Sequence, residues 1–177
     1  MHTKTHILGI DPGLDGGLAL YSFDPITYDE SLIMTAMPTV PTSDSKREID
    51  VQGVRNFLFE QIANFIPSKI NLAVIEKVSA RPDQGVTSMF TFGTGYGMLL
   101  GALNWNGVAV QRVTPQAWKK TVLAGTAKDK GAAIGFIRSR FPSADLKRSA
   151  ACRVFHDGMA DAGCLALYGK HQVTGKL

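Results

Sequence analysis

The chain opens with short apolar runs separated by turn chemistry. HILGID, from His6 to Asp11, is followed by Pro12-Gly13, and Leu14-Asp15-Gly16-Gly17 leads into a second run from Leu18 to Phe23. Two such runs joined by so short a glycine-containing link predict a β-hairpin. A third strand is predicted around Ser31 to Met37, and the Pro/Ser/Thr-rich stretch from Pro38 to Ser45 reads as a loop. From Asp50 the period changes: Val51, Val54, Leu58, Ile62 and Phe65 recur at helical spacing, and Pro67 sits where that helix should stop. NLAVIE, Asn71 to Glu76, is short, apolar and partly β-branched, which predicts an interior strand with a carboxylate as its last residue.

After a polar loop from Lys77 to Gly85, TSMFTFGTGYGMLLGALNW predicts a helix with Gly93, Gly97 and Gly101 on one face. Interior glycine costs a helix ~1 kcal/mol per residue, but small residues at that spacing let another backbone approach closely. The Gly-Lys-Ser/Thr ending of a phosphate-binding loop is absent, which excludes a P-loop here. Val108 to Val113 predicts another strand, and Thr114-Pro115 an N-cap with proline at the first position of a short helix. A further helix is predicted over Lys130 to Phe141, with Ala133, Ile134, Ile137 and Phe141 inward and Pro142 ending it. The last runs from Phe155 to Tyr168, with Met159, Leu165 and Tyr168 toward the core. Strands alternating with helices place the chain in the α/β class, and there is no internal repeat or heptad.

Composition narrows this picture. The 177 residues fit one compact domain spanning 1–177. No apolar run approaches the ~20 residues a membrane-spanning helix needs. MHTKTHILGIDPG lacks the long apolar core of a secretory signal, and Cys152 and Cys164 form no CxxC pair. Reduced thiols and a cytoplasmic location are the expectation. The net charge of +4 is unevenly spread. Residues 1–106 carry 7 Lys and Arg against 11 Asp and Glu, whereas residues 107–177 carry 12 against 4. A basic second half suits either a phosphate backbone or a solvated helical face.

Four acids carry the chemistry. Asp11 ends one apolar strand and Glu76 another, so parallel neighbouring strands would set their carboxylates about one strand spacing, ~4.8 Å, apart. Asp157 and Asp161 lie four residues apart, on one face of the last helix. Each acid has a plainer reading: Asp11 as a turn residue, Glu76 as a surface partner of Lys77 or Arg81, Asp157 as an N-cap. Those readings do not explain the four together. Clustered carboxylates resist ionisation unless a cation joins them. Mg²⁺ favours oxygen ligands and keeps several waters, and two such ions roughly 3.5–4 Å apart activate a water and stabilise a leaving oxygen. The pattern therefore points to phosphodiester hydrolysis. His156 adjoins the cluster but reads better as a surface or capping residue, and His2, His6 and His171 show no ligand spacing with it.

In order, ILGIDPGLDGGLALY, LAVIEKV, SMFTFGTGYGMLLG, VTPQAWKKTVL and HDGMADAGCLALYG resemble the RuvC family of Holliday-junction resolvases, particularly its compact bacteriophage-type branch. They span about Ile7 to Gly169. IDPG alone is unspecific, because actin-like ATPases and sugar kinases also begin with a strand-Asp-Gly motif. Their two-domain bodies, however, need far more chain than this. The resemblance implies an RNase H-like fold: a five-stranded mixed sheet, its first three strands antiparallel, with helices on both faces. It implies Asp11, Glu76, Asp157 and Asp161 as catalytic metal ligands for two Mg²⁺ ions, with Mn²⁺ as a substitute. It also implies a homodimer that nicks opposed strands of a four-way DNA junction, the glycine-rich helix lying in or near the dimer contact.

Lys119 and Lys130 match basic residues the family places near the scissile phosphate or the DNA backbone, and Lys120 and Lys128 are neighbours in the same patch. Two departures stand out. Bacterial members carry an Asp or His three residues before the final Asp, where this chain has Gly158, so that ligand falls to Asp157. An aromatic that some bacterial members carry after the second acid is Ser79 here, leaving Phe90 and Phe92 as candidate base-stacking residues. The alternative is a non-catalytic binder of structured nucleic acid, against which the presence of all four acids argues.

Overall fold

The computed structural model describes residues 4–43, 46–62, 69–79, 84–126, 129 and 131–177. In chain order the elements are β1 (Thr5–Asp11), β2 (Gly17–Phe23), β3 (Glu30–Ala36), β4 (Thr39–Pro41), β5 (Arg47–Ile49), α1 (Val51–Gln61), β6 (Leu72–Glu76), α2 (Val86–Trp105), β7 (Val110–Val113), α3 (Pro115–Val122), α4 (Ala132–Arg140) and α5 (Asp157–Thr174). A five-stranded sheet has the order β3-β2-β1-β6-β7. β1 pairs antiparallel with β2 and β2 with β3, whereas β1–β6 and β6–β7 are parallel. This is the mixed sheet that the resemblance implied.

Successive side chains of a strand point to opposite faces, and the two cores divide accordingly. Ile7, Ala19, Tyr21, Val74 and Val113 lie in one core with Trp118, Ile137, Met159 and Leu165 from α3, α4 and α5. Leu8, Ile10, Leu18, Leu20, Ala73 and Ile75 lie in the other with Val54, Phe57, Leu58, Leu99 and Leu103 from α1 and α2. The central strands are thus apolar on both faces, as buried strands must be.

Helix α5 seats directly on the sheet because three glycines let it. A Cβ at Gly9 would stand 2.0 Å from the Ala162 carbonyl oxygen, and one at Gly17 would stand 2.8 Å from the Gly158 carbonyl. From the helix side, a Cβ at Gly158 would meet the Asp15 carbonyl at 2.5 Å. Backbone therefore lies on backbone at the end of the sheet where Asp11 emerges.

The structure corrects three expectations. The stretch read as a loop contains β4, which pairs with β5 in a two-stranded ladder from Thr39↔Ile49 to Pro41↔Arg47. Pro38 and Pro41 hid it, since proline is tolerated in a strand only where its missing N–H is not needed. The last helix extends to Thr174 and ends on Gly175, a left-handed C-cap with φ 70°. Its polar-looking final turns hold because Lys170 is buried and donates to Glu30 at 2.8 Å. The first residue of that helix is Asp157 and its cap is His156, whose Nδ1 accepts from the Met159 amide. Thr114 and Pro115 begin α3 as the sequence predicts. Phe65 and Pro67 lie outside the described residues. None of the helices among the described residues is long and apolar enough to cross a membrane.

Candidate active site

Strand alternation decides where the first two acids go. In the β1–β6 register Gly9 stands beside Val74 and Ile10 beside Ile75, so Asp11 and Glu76 follow as the next neighbouring positions. Ile10 and Ile75 share the α1–α2 core. One residue on, both acids belong to the opposite face, where α5 lies. Asp161, one turn into that helix, completes the group.

The three carboxylates feel one another. Burial, then the charges of Glu76 and Asp161, push the Asp11 carboxyl up to about 7, against smaller downward pulls from the Gly13 amide and Lys119. Burial pushes Asp161 up to about 6, opposed by Lys119 and reinforced by Glu76 and Asp157. Asp11 receives a long hydrogen bond, 3.5 Å, from the Gly13 amide. Glu76 Oε2 accepts from the indole N–H of Trp118 at 2.8 Å. Asp157 is exposed at the rim and acts on Asp161; it is not among the charges that move Asp11.

Three adjoining concavities meet at these acids. One, between α3 and the starts of α4 and α5, is lined by Lys119, Lys120, Asp157 and Asp161. A second joins Asp11 and Glu76 to Lys77, Ser79, Phe92 and Gln116. A third leads from Asp11 along the first turns of α2 to Lys46 and Arg47. Beside it, Asp15 Oδ1 accepts from Arg47 at 3.0 Å and from Arg148 at 3.3 Å, fixing two guanidinium groups on the rim.

The predicted site residues are therefore brought together unequally. Asp11, Glu76 and Asp161 converge, and Asp157, Lys119 and Lys120 line the adjoining cleft. Phe90 does not line these clefts and is 77% exposed on α2, whereas Phe92 lines the cleft that holds Asp11 and Glu76. Lys128 and Lys130 lie outside the described residues. Among those described, Glu76 forms no ion pair with Lys77, and Arg81 is not among them. Trp118, Arg47 and Arg148 went unread, because neither a buried indole N–H nor an arginine far away in sequence leaves a periodic trace.

The donors suit a hard divalent cation. They are carboxylate oxygens in excess of nearby cationic charge; burial first, and the neighbouring acids after it, push Asp11 and Asp161 up, so both charged forms are disfavoured unless a cation joins them. Among the described residues no three Asp, Glu, His or Cys side chains already close around an ion position. The arrangement is an open cradle in its chemistry, not a finished cage.

Comparison with known proteins adds to this geometry. No family model matches the chain. It is 28% identical over 174 residues to the crossover junction endodeoxyribonuclease RuvC of Rhodopseudomonas palustris (strain BisB18), an alignment covering 97% of this chain and 89% of that protein. The structure of T. thermophilus RuvC in complex with Holliday junction substrate superposes with a TM-score of 0.58 at 19% identity, covering 97% of this chain and 96% of that one. A second Thermus thermophilus RuvC structure gives 0.55 at 19% identity, covering 97% and 98%. The chain resembles RuvC in sequence and shares its fold. The RuvC resemblance thus runs along nearly the whole chain, and one departure noted in the sequence gains a physical reason. Gly158 lies against the Gly16 Cα, where an added Cβ would come within 2.6 Å, so no acidic side chain can be placed there.

Proposed function

We propose that this chain is a Holliday-junction resolving endonuclease that depends on a divalent metal. The observation that carries the reading is the convergence of Asp11, Glu76 and Asp161, from β1, β6 and α5, into a mutually repelling group between basic flanks. The curated RuvC relative and the junction-bound RuvC fold neighbour support the same reaction class. On this reading residues 1–177 act as one nuclease domain in the cytoplasm, where Cys152 and Cys164 stay free thiols, as they are in the structure.

Asp11, Glu76 and Asp161, with Asp157 at the rim, would hold the metal. Two Mg²⁺ ions, or Mn²⁺ in their place, would supply an activated water and neutralise charge on the leaving oxygen. The chain's own residues do the rest. The carboxylates orient the attacking water toward the phosphorus; its oxygen forms the new P–O bond, the bond to the 3′-oxygen breaks, and 5′-phosphate and 3′-hydroxyl ends result. Lys119 and Lys120 draw the phosphate backbone into the cleft on one side, and Lys46, Arg47 and Arg148 carry positive charge on the other. Phe92 faces the cleft where an unpaired base would stack.

Symmetric cutting of a four-way junction needs two copies, and α2 offers the surface for a second one. Gly93, Gly97 and Gly101 face open space, flanked by Phe90, Met98 and Trp105, which are 77%, 42% and 91% exposed. Matched four-way, three-way and linear DNA, each with and without Mg²⁺, provide the test. Paired nicks in the four-way substrate only when Mg²⁺ is present are expected. Junction binding without cleavage under any divalent metal would reduce the protein to a binder of structured DNA.

A further inference from the structure

One contact at the site belongs to neither an acid nor a lysine. Trp118 is 0% exposed, yet its N–H reaches Glu76 Oε2 at 2.8 Å. The fold brings this about through a short connection. Glu76 pairs with Val113, the Lys77 amide donates to the Val113 carbonyl at 2.6 Å, and only Thr114 separates β7 from α3. The Thr114 side chain caps that helix by accepting from the Ala117 amide at 3.3 Å, and Pro115 fixes its first turn. Trp118, one turn in, then faces the end of β6.

The same indole has a second partner. The Lys119 ammonium stands 5.1 Å from the Trp118 ring centroid, within the range of a cation–π contact. Lys119 is also the side-chain cation acting on both Asp11 and Asp161. An indole nitrogen donates and never accepts. Buried here, it holds one oxygen of Glu76 in a fixed direction and leaves the other, Oε1, without a hydrogen bond among the described residues. The ring face meanwhile steadies the ammonium that moderates the remaining acids.

We propose that Trp118 is a positioning residue of the metal site: it aims Glu76 so that Oε1 faces the cation, and it anchors Lys119 beside Asp11 and Asp161. This rests on the metal-dependent reading above and names what orients its second ligand. Groups that hold a metal ligand from behind commonly contribute ~10- to 100-fold in metal affinity or activity.

The test uses full-length protein without DNA, titrated with Mn²⁺ and followed by electron paramagnetic resonance. Trp118→Phe keeps an aromatic face in the core but removes the N–H, together with part of the buried ring volume. It is expected to weaken Mn²⁺ binding ~10-fold or more and to lower kcat on a four-way junction with little change in KM. Should Phe destabilise the fold, β-(3-benzothienyl)alanine at position 118 replaces only the N–H with sulfur and is expected to give the same loss. Wild-type protein supplies a reading independent of any variant, because it holds two tryptophans, Trp118 and the 91%-exposed Trp105. Of the two indole N–H signals in a ¹⁵N spectrum, Mg²⁺ and Glu76→Gln should both move the slowly exchanging one and leave the other in place. Wild-type Mn²⁺ affinity in either substituted protein, or a buried indole signal indifferent to Mg²⁺ in a protein that cleaves junctions, overturns the proposal. A wild-type protein that neither binds Mn²⁺ nor cleaves would instead overturn the function proposed above.

Discussion

Two acidic groups lie against α5, at opposite ends of it, and the chain treats them differently. At the C-terminal end Glu30 accepts from Lys170 at 2.8 Å and pairs with Arg140. Burial pushes the Glu30 carboxyl up, but the Lys170 hydrogen bond and charge, with Arg140 behind them, outweigh it and hold it below its ordinary value. At the N-terminal end burial and neighbouring acids push Asp11 up to about 7, and Lys119 offsets only part of this. The first group is closed by the chain's own cations; the second is left short of positive charge. A fold able to neutralise one cluster so fully has left the other open where clefts converge, the contrast on which the proposed metal site rests.

The sharpest way to break this contrast is at the open end. Asp11→Asn or Glu76→Gln should abolish cleavage and reduce Mn²⁺ affinity by more than the ~10- to 100-fold typical of outer-shell changes. Junction binding without metal should survive, because the cationic contacts remain; a gel-shift titration beside a nicking assay separates the two. If either variant cuts at the wild-type rate, the acids are not the ligands.

At the closed end the expected loss is of stability. Glu30→Ala strands the buried Lys170 ammonium, and removing one partner of such a pair costs about 3 kcal/mol. Urea unfolding should show that loss with little change in Mn²⁺ affinity.

A smaller effect is expected at Lys119, which serves substrate and acids together. Lys119→Ala should weaken junction binding and reduce the slope of log affinity against log salt by about 1. A slope identical to wild type would remove Lys119 from the phosphate path.

The smallest difference concerns pH, and the two clusters have opposite signs. Asp11 and Asp161 are raised from 3.8, so the stability they contribute is complete below that value and is lost as pH rises through about 6 and 7. Glu30 is lowered from 4.5, so its contribution is present above that value and is lost as pH falls through the folded-state value. Metal-free protein should therefore melt lower at about pH 8 than at about pH 5.5, with Asp11→Asn reducing the gap. Calorimetry with and without Mg²⁺ checks this: added metal should restore the melting temperature at the higher pH. An unchanged gap in the Asn variant would detach the effect from Asp11.

Much of this architecture was legible in order of appearance. The runs ending at Asp11 and Glu76 announce strands, and strand alternation puts both acids on one face once the strands are parallel neighbours. The i, i+4 spacing put Asp157 and Asp161 on one face, but burial separates them: Asp161 reaches the acids while Asp157 stays at the rim. Periodicity reports which face a residue occupies and not how deep it lies. Lys170 shows the same limit from the other side, since a lysine in a polar final turn gives no sign of a partner 140 residues earlier. Trp118 carries no signal in the sequence beyond its place in a short helix; the direction of its N–H depends on the β6–β7 register, which no local pattern encodes. The β4–β5 ladder was hidden by its own prolines.

The glycine seat beneath α5 has a further consequence. Because the helix touches the sheet through backbone at Gly9, the height of Asp161 above Asp11 is set by the thickness of two main chains, with no side chain between them to relax. One added methyl group at position 9, colliding with the Ala162 carbonyl at 2.0 Å, would act as a wedge under the helix. It would lift the third carboxylate away from the first two while leaving every reactive atom chemically intact.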